Sequence, residues 1–322
     1  MEDNMEIPVY LVNGFLESGK STFVLETMKD PEFTDSIRTL LFVCEEGEVE
    51  YDEAMLAKLK VDVVVVEDQD NFNEEYIKRC FEKYKPGRIM IEYNGMWDTE
   101  EFLELELPEP LVMAQIITLI DASTYQNYMS NFKSIMISQF KYSDTIIVNR
   151  CDDSTDKIAI RRTIKPVNRK AEIIYESVDG VTTDAGEEVL PFDITADHID
   201  LCDEDYGLWY LHAMDNPKMY QGKTITFRAM VYKTERFPKG AFVPGRFAMT
   251  CCADDIAFIG FLCKTDYAGP VATDQLKNRM WITITAQVRV EYYKEYRGKG
   301  PVLYAKKIEM AEEPKEKLVY FN

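Results

Sequence analysis

Short apolar runs alternate with helical stretches through residues 1–177. Val9–Asn13, Thr39–Cys44, Val61–Glu67, Arg88–Tyr93, Ile116–Asp121, Thr145–Asn149 and Glu172–Tyr175 read as strands. Several are apolar throughout, as strands covered on both faces are. Ser21–Lys29, Asn73–Lys83, Thr124–Gln139 and Asp156–Val167 carry helical spacing between them. The alternation predicts an α/β fold built on a mostly parallel sheet. In residues 178–197, Gly, Thr, Asp and Pro accumulate without a helical period, which places a linker there.

Beyond the linker the period becomes two. Thr224–Tyr232 sets Ile225, Phe227, Ala229 and Val231 on one face, and Trp281–Glu291 does the same with Ile282, Ile284, Ala286, Val288 and Val290. Half-buried antiparallel strands have this pattern. With Arg246–Cys252, Phe258–Lys264 and Val302–Glu309 they make five strands, a small antiparallel β-barrel-like, OB-like domain over 198–322. Ala311–Lys317 reads as a charged, frayed end.

Charge narrows the partners. Lys and Arg number 37 against 57 Asp and Glu, a formal net charge of −20. Coating a nucleic acid needs clustered positive charge, so no nucleic-acid partner is expected, and anionic lipid is disfavoured too. A single nucleotide needs only one local pocket and stays open. Hydrophobic residues make up 46% of the chain, enough for ordinary cores. The acidic start lacks a secretory leader, and no apolar run approaches the roughly 18 residues of a membrane span. Seven cysteines, an odd number without framework spacing, suit a reduced cytoplasmic setting.

The strongest chemical signal is Gly14-Phe-Leu-Glu17-Ser18-Gly19-Lys20-Ser21-Thr22. It matches GxxxxGK(S/T), follows an apolar strand and opens a helix, the context that gives the motif meaning. The glycines let successive N–H groups converge on one anion, and the helix N-terminus adds a positive dipole. Lys20 is expected to neutralise β- and γ-phosphates, and the Ser21 hydroxyl to ligate Mg2+. Arg88–Glu92 is an apolar strand ending in an acid, which gives Glu92 the position to hold Mg2+ or orient the attacking water. Gly95, three residues on, is placed to give its N–H to a γ-phosphate. Asn149-Arg150-Cys151-Asp152 is similar to an NKxD guanine motif at a strand end, with Asp152 reading the base and Asn149 bracing the loop. Arg150 takes the lysine position, which leaves GTP against ATP open.

In this order the elements VNGFLESGKST, CEEGEVEYD, IMIEYNG, TLIDAS, QFKYSDTIIVNRCD and NRKAEII resemble the CobW/HypB/UreG class of P-loop GTPases, CobW-like proteins most closely. The resemblance implies a P-loop NTPase domain over 1–177, GTP binding with Mg2+, slow hydrolysis, nucleotide-dependent homodimer formation and delivery of metal to a metalloprotein client. Its usual CxCC zinc motif is missing, since Glu45 to Glu82 holds only Cys80. Glu46 is a candidate for the Mg2+ shell. FVPGRFAMTCCADDIAFIGFLCK followed by WITITAQVRV resembles the C-terminal domain of YcgQ-type permease subunits, which implies a membrane permease partner.

Other metal groupings are thin. Cys251 and Cys252 are neighbours on a strand and point to opposite faces, with Cys263 on the next strand. His198 and Cys202 stand one helical turn apart if their segment is helical. Two readings follow. One is a cytoplasmic Mg2+-dependent GTPase in metal homeostasis; the other is a nucleotide-binding regulatory or scaffold subunit of a permease system with little turnover.

Overall fold

The computed structural model describes residues 6–34, 37–45, 47, 51–183, 190–249, 256–265, 275–293 and 298–321. Contacts divide the chain into two compact units, Met1–Gly186 and Glu187–Asn322.

The first unit is built on one sheet. Its strands are β1 (Ile7–Asn13), β2 (Thr39–Val43), β3 (Val61–Val65), β4 (Arg88–Glu92), β5 (Leu111–Asp121), β6 (Thr145–Cys151), β7 (Glu172–Ser177) and β8 (Thr182–Thr183). They lie in the order β3-β2-β4-β1-β5-β6-β7-β8. Every neighbouring pair is parallel except β7 with β8. The apolar runs explain why. In β1, Val9 and Leu11 join a core on one face and Val12 joins a core on the other. Leu40 and Phe42 against Leu41 and Val43 repeat the split in β2. Helices Glu74–Tyr84 and Lys20–Lys29 supply opposite covers, through Ile77 on one side and Val24, Leu25 and Met28 on the other. After β1 the chain builds one side of the sheet, and at β5 it crosses to the other. The turn after β1 therefore lies at the switch point by the strand ends, where open α/β sheets bind ligands.

One predicted helix is two. Thr124–Gln139 breaks into Tyr125–Asn131 and Lys133–Tyr142 at Phe132, whose φ of −132° and ψ of 34° leave the helical region.

Among the described residues the second unit has eight strand segments, six of them on one path that curls into a half-barrel closed by a short seam. Its strands are β9 (His198–Asp200), β10 (Thr224–Tyr232), β11 (Val243–Met249), β12 (Ile256–Gly260), β13 (Cys263–Lys264), β14 (Trp281–Tyr293), β15 (Gly298–Met310) and β16 (Leu318–Val319). The path runs β12-β11-β10-β14-β15-β13. Cys263 exchanges two backbone hydrogen bonds with Phe242, at 2.7 and 3.0 Å, which joins the far end back to the start of β11. With β12 and β13 counted as one bent strand, the order is that of a Greek-key OB barrel. A register shift between Thr285 and Ala286 bends the long β14–β15 pair, as bulges do. The interior holds the residues that the period of two selected, Ile225, Phe227, Ala229, Val231, Ile282, Ile284, Ala286 and Val288, with the exception of Val290, which is only half-buried and outside the core.

A helix absent from the sequence reading, Tyr206–Asp215, packs Trp209 and Tyr206 against Phe227. Its residues are apolar on nearly every side, so no helical period marks it. The separation of His198 and Cys202 by one helical turn is corrected as well. His198 lies in β9, paired in register with Thr224 and bonded to Thr226 Oγ1 at 2.7 Å, while Cys202 lies beyond the end of that strand, so no helical turn spans the two.

Candidate functional site

Gly14 and Gly19 take φ of 135° and 99°, values that favour glycine. A Cβ on Gly14 would lie 2.4 Å from the Leu119 carbonyl, and one on Gly19 would lie 2.7 Å from Asn149 Nδ2. Helix Lys20–Lys29 starts at Gly19 with no side-chain cap, so its first turn points uncapped N–H groups into the loop. Ser18 is buried and its Oγ has no hydrogen-bond partner among the described residues. Glu17 and Thr22 are exposed.

Lys20 is 4% exposed. Its Nζ donates to the Gly14 carbonyl at 2.8 Å, the Phe15 carbonyl at 3.0 Å and Glu45 Oε2 at 2.6 Å. Beside it, Ser21 Oγ donates to Glu92 Oε1 at 2.5 Å, and Tyr51 donates to the other oxygen of the same carboxylate. Burial pushes the Glu92 carboxyl above its usual range, and the Glu45 charge adds to that. The Ser21 and Tyr51 hydrogen bonds and the Lys20 charge only partly offset it. Glu92 and Gly95 flank the turn after β4. A Cβ on Gly95 would lie 2.3 Å from the Gly14 carbonyl, so this turn rests directly on the loop. Gln139, buried on helix Lys133–Tyr142, donates to the Gly95 carbonyl at 2.9 Å.

The end of β6 clamps the other side of the loop. Asn149 Nδ2 donates to the Ser18 carbonyl at 2.7 Å, and Arg150 Nη1 to the Glu17 carbonyl at 2.9 Å. Arg150 also pairs with Asp121 at the end of β5. Asp121 accepts from the Ser123 N–H and hydroxyl as well. Burial works against its charge, yet these bonds outweigh it and hold the carboxyl below its usual range. Asp152 stands apart, exposed, with Oδ1 bonded to the Ser154 N–H at 2.9 Å and hydroxyl at 2.7 Å. Those bonds hold its carboxyl below the usual range.

Of the residues the sequence singled out, Glu17, Gly19, Lys20, Ser21, Thr22, Glu92 and Arg150 line one cleft of about 90 Å³, while Gly14 and Ser18 belong to the loop that forms it and Gly95 and Asn149 pack against that loop. Glu46, Cys251 and Cys252 lie outside the described residues. Sequence reasoning passed over Tyr51, Asp121 and Gln139. Asp121 ends an apolar strand as Glu92 does, and that was the signal available for it.

The donors match a hard cation better than a soft one. Ser21 hydroxyl and Glu92 carboxylate are oxygen ligands of the kind Mg2+ takes. Cys44 and Cys263 are buried, and burial pushes both thiols up, away from the thiolate that zinc requires. Among the described residues no three His, Cys, Asp or Glu side chains group as a metal site. No helix among them is long and apolar enough to cross a membrane.

Comparison with known proteins gives two matches along the chain. Residues 8–175, just over half of it, match the family described as CobW/HypB/UreG, nucleotide-binding domain. Residues 180–321 match the DUF1980 C-terminal domain. No curated protein matches the chain. Among solved structures it is similar to the Zn(II)-bound YjiA GTPase from E. coli, at 17% identity and a TM-score of 0.42 over 71% of this chain and 74% of that one. It is also similar to the hydrogenase maturation factor HypB from Archaeoglobus fulgidus, at 12% identity and a TM-score of 0.36 over 55% and 84%. The signal recognition particle receptor FtsY from Elizabethkingia anophelis follows at 11% and 0.37 over 57% and 64%.

Proposed function

Since the chain belongs to the CobW/HypB/UreG family by its nucleotide-binding domain, we propose that it binds GTP with Mg2+ and hydrolyses it slowly, in the service of metal homeostasis. The observation that carries this reading is the convergence of Lys20, the Ser21–Glu92 pair and the Asn149 clamp on one glycine-shaped loop. The loop N–H groups and Lys20 take the phosphates. Gly95, already against the loop, offers its N–H to the γ-phosphate. Ser21 and Glu92 are the side chains that would hold Mg2+, which when bound neutralises charge on the β- and γ-phosphates. Arg150, fixed by Asp121 and the Glu17 carbonyl, presents a flat cation beside the purine, and Asp152 reads the guanine edge.

Calorimetry with GTP, GDP and ATP tests the reading. GTP is expected to bind most tightly, and Lys20→Ala to abolish most of the affinity. ATP binding as tightly as GTP overturns the guanine assignment, and unchanged affinity in Lys20→Ala overturns the pocket. Steady phosphate release from GTP, lost in Lys20→Ala, tests turnover.

The second unit supports a finer reading. Its PGRF-centred resemblance to YcgQ-type permease subunits points to a membrane permease partner, which would make the GTPase unit its regulatory arm. Stimulation of GTP turnover by that partner supports this, and indifference of turnover to it counts against it.

A further inference from the structure

We propose that Glu45 is a built-in competitor for the phosphate-binding lysine and holds the site shut against ligands that bind through phosphate alone. The inference rests on the reading of Gly14–Ser21 as a phosphate loop. An ammonium has three N–H groups. The three acceptors of Lys20 are the Gly14 and Phe15 carbonyls and Glu45 Oε2, at 2.8, 3.0 and 2.6 Å. No donor is left over, and at 4% exposure the ammonium has no solvent to turn toward.

A phosphate oxygen reaching Lys20 must therefore displace one acceptor. Two of the three belong to the loop backbone, and the Phe15 carbonyl is further held by the Ser18 N–H at 3.1 Å. Glu45 alone sits on a rotatable side chain. It lines the same cleft as Gly19, Ser21 and Glu92, so it occupies the approach itself. Its departure also relieves Glu92, whose buried carboxyl feels the Glu45 charge.

A ligand that needs Lys20 must overcome the Glu45 contact, and its apparent affinity falls by the fraction of molecules in which the lysine is free. A ligand that stops at the α-phosphate does not. Contacts elsewhere, to the base or to Mg2+, are then what allow a nucleotide to open the site where a simple phosphate cannot.

The test is equilibrium binding of GTP, GDP and GMP to the full chain and to Glu45→Gln, with Glu45→Ala as a second variant. GTP and GDP are expected to bind roughly ten-fold more tightly to both variants, with GMP changed by less than about two-fold. Unchanged or weaker GTP binding in Glu45→Gln overturns the proposal. So does an equal gain for all three ligands, which marks a general effect of removing an acid. If Lys20→Ala binds GTP as the wild type does, the phosphate-loop reading falls and takes this inference with it. A wild type that binds GTP through Lys20 but ignores Glu45 removes the competitor alone.

Discussion

Asn149 and Ser18 are 131 positions apart in the chain, yet the Asn149 amide donates to the Ser18 carbonyl at 2.7 Å. That bond ties the loop at Ser18 to the end of β6 and so helps fix the loop's shape. Asn149→Ala is expected to weaken GTP binding about ten-fold, the worth of one buried hydrogen bond in a preorganised site. Gly19→Ala is expected to be worse, because its φ of 99° and the 2.7 Å approach to Asn149 both resist a methyl group. Titration calorimetry of the two variants checks the ranking.

Gly95→Ala brings a Cβ to 2.3 Å from the Gly14 carbonyl and 2.7 Å from Phe15 Cα. Both neighbours are backbone, so the turn after β4 must withdraw from the loop. The variant is expected to lose about 2 kcal/mol of stability and to lose GTP affinity more than GDP affinity. Denaturant unfolding and parallel titrations measure the two effects.

Glu92 sets a pH dependence. Burial raises its folded-state pKa above the unfolded value, so the folded chain binds the proton more tightly. Stability then falls as pH rises from the ordinary glutamate range through the raised one, the reverse of a salt-bridged carboxylate. Glu92→Gln is expected to melt at or above the wild-type temperature at neutral pH, with the gap closing as the pH drops. The same variant is expected to lose GTP turnover. Melting curves across pH with a phosphate-release assay test both.

In the second unit, Arg246 is 1% exposed. Its Nη1 bonds the Asp203 carbonyl and carboxylate, both at 3.0 Å, and its Nη2 bonds the Glu316 carbonyl at 2.5 Å. Burial holds its pKa below the usual arginine value, though the Asp203 charge opposes this. Arg246→Leu leaves Asp203 without this partner and releases the segment before β16. A loss of about 3 kcal/mol is expected, because three hydrogen bonds from a buried guanidinium are removed. Thermal unfolding followed by tryptophan fluorescence is the measurement.

Local chemistry was legible where one stretch of chain does the work. The glycines and Lys20 could be read because phosphate binding by a loop and helix start is a contiguous device. The strands could be read because burial on both faces leaves unbroken apolar runs, as in β2 and β4. Contacts between distant stretches were not legible. Nothing in the spacing of Glu45, Tyr51 or Gln139 says that they meet Lys20, Glu92 and Gly95, since those approaches depend on which strands become neighbours. The helix Tyr206–Asp215 escaped because apolar residues lie on nearly every side of it, which leaves no polar face to give a period. The break at Phe132 escaped because Thr124–Gln139 holds no proline or glycine to mark it.

The loop that follows β1 has an order of birth. It precedes in the chain the residues that shape it, since its floor comes from residues 92–95 and its clamp from Asn149 and Arg150. A nascent chain that has not yet reached β6 has the anion-binding glycines without the clamp that shapes them. Competence to hold nucleotide arrives in one step when β6 docks beside β5. A chain stalled before that point is thus expected to hold nucleotide poorly, and nucleotide retention would report on the docking of β6.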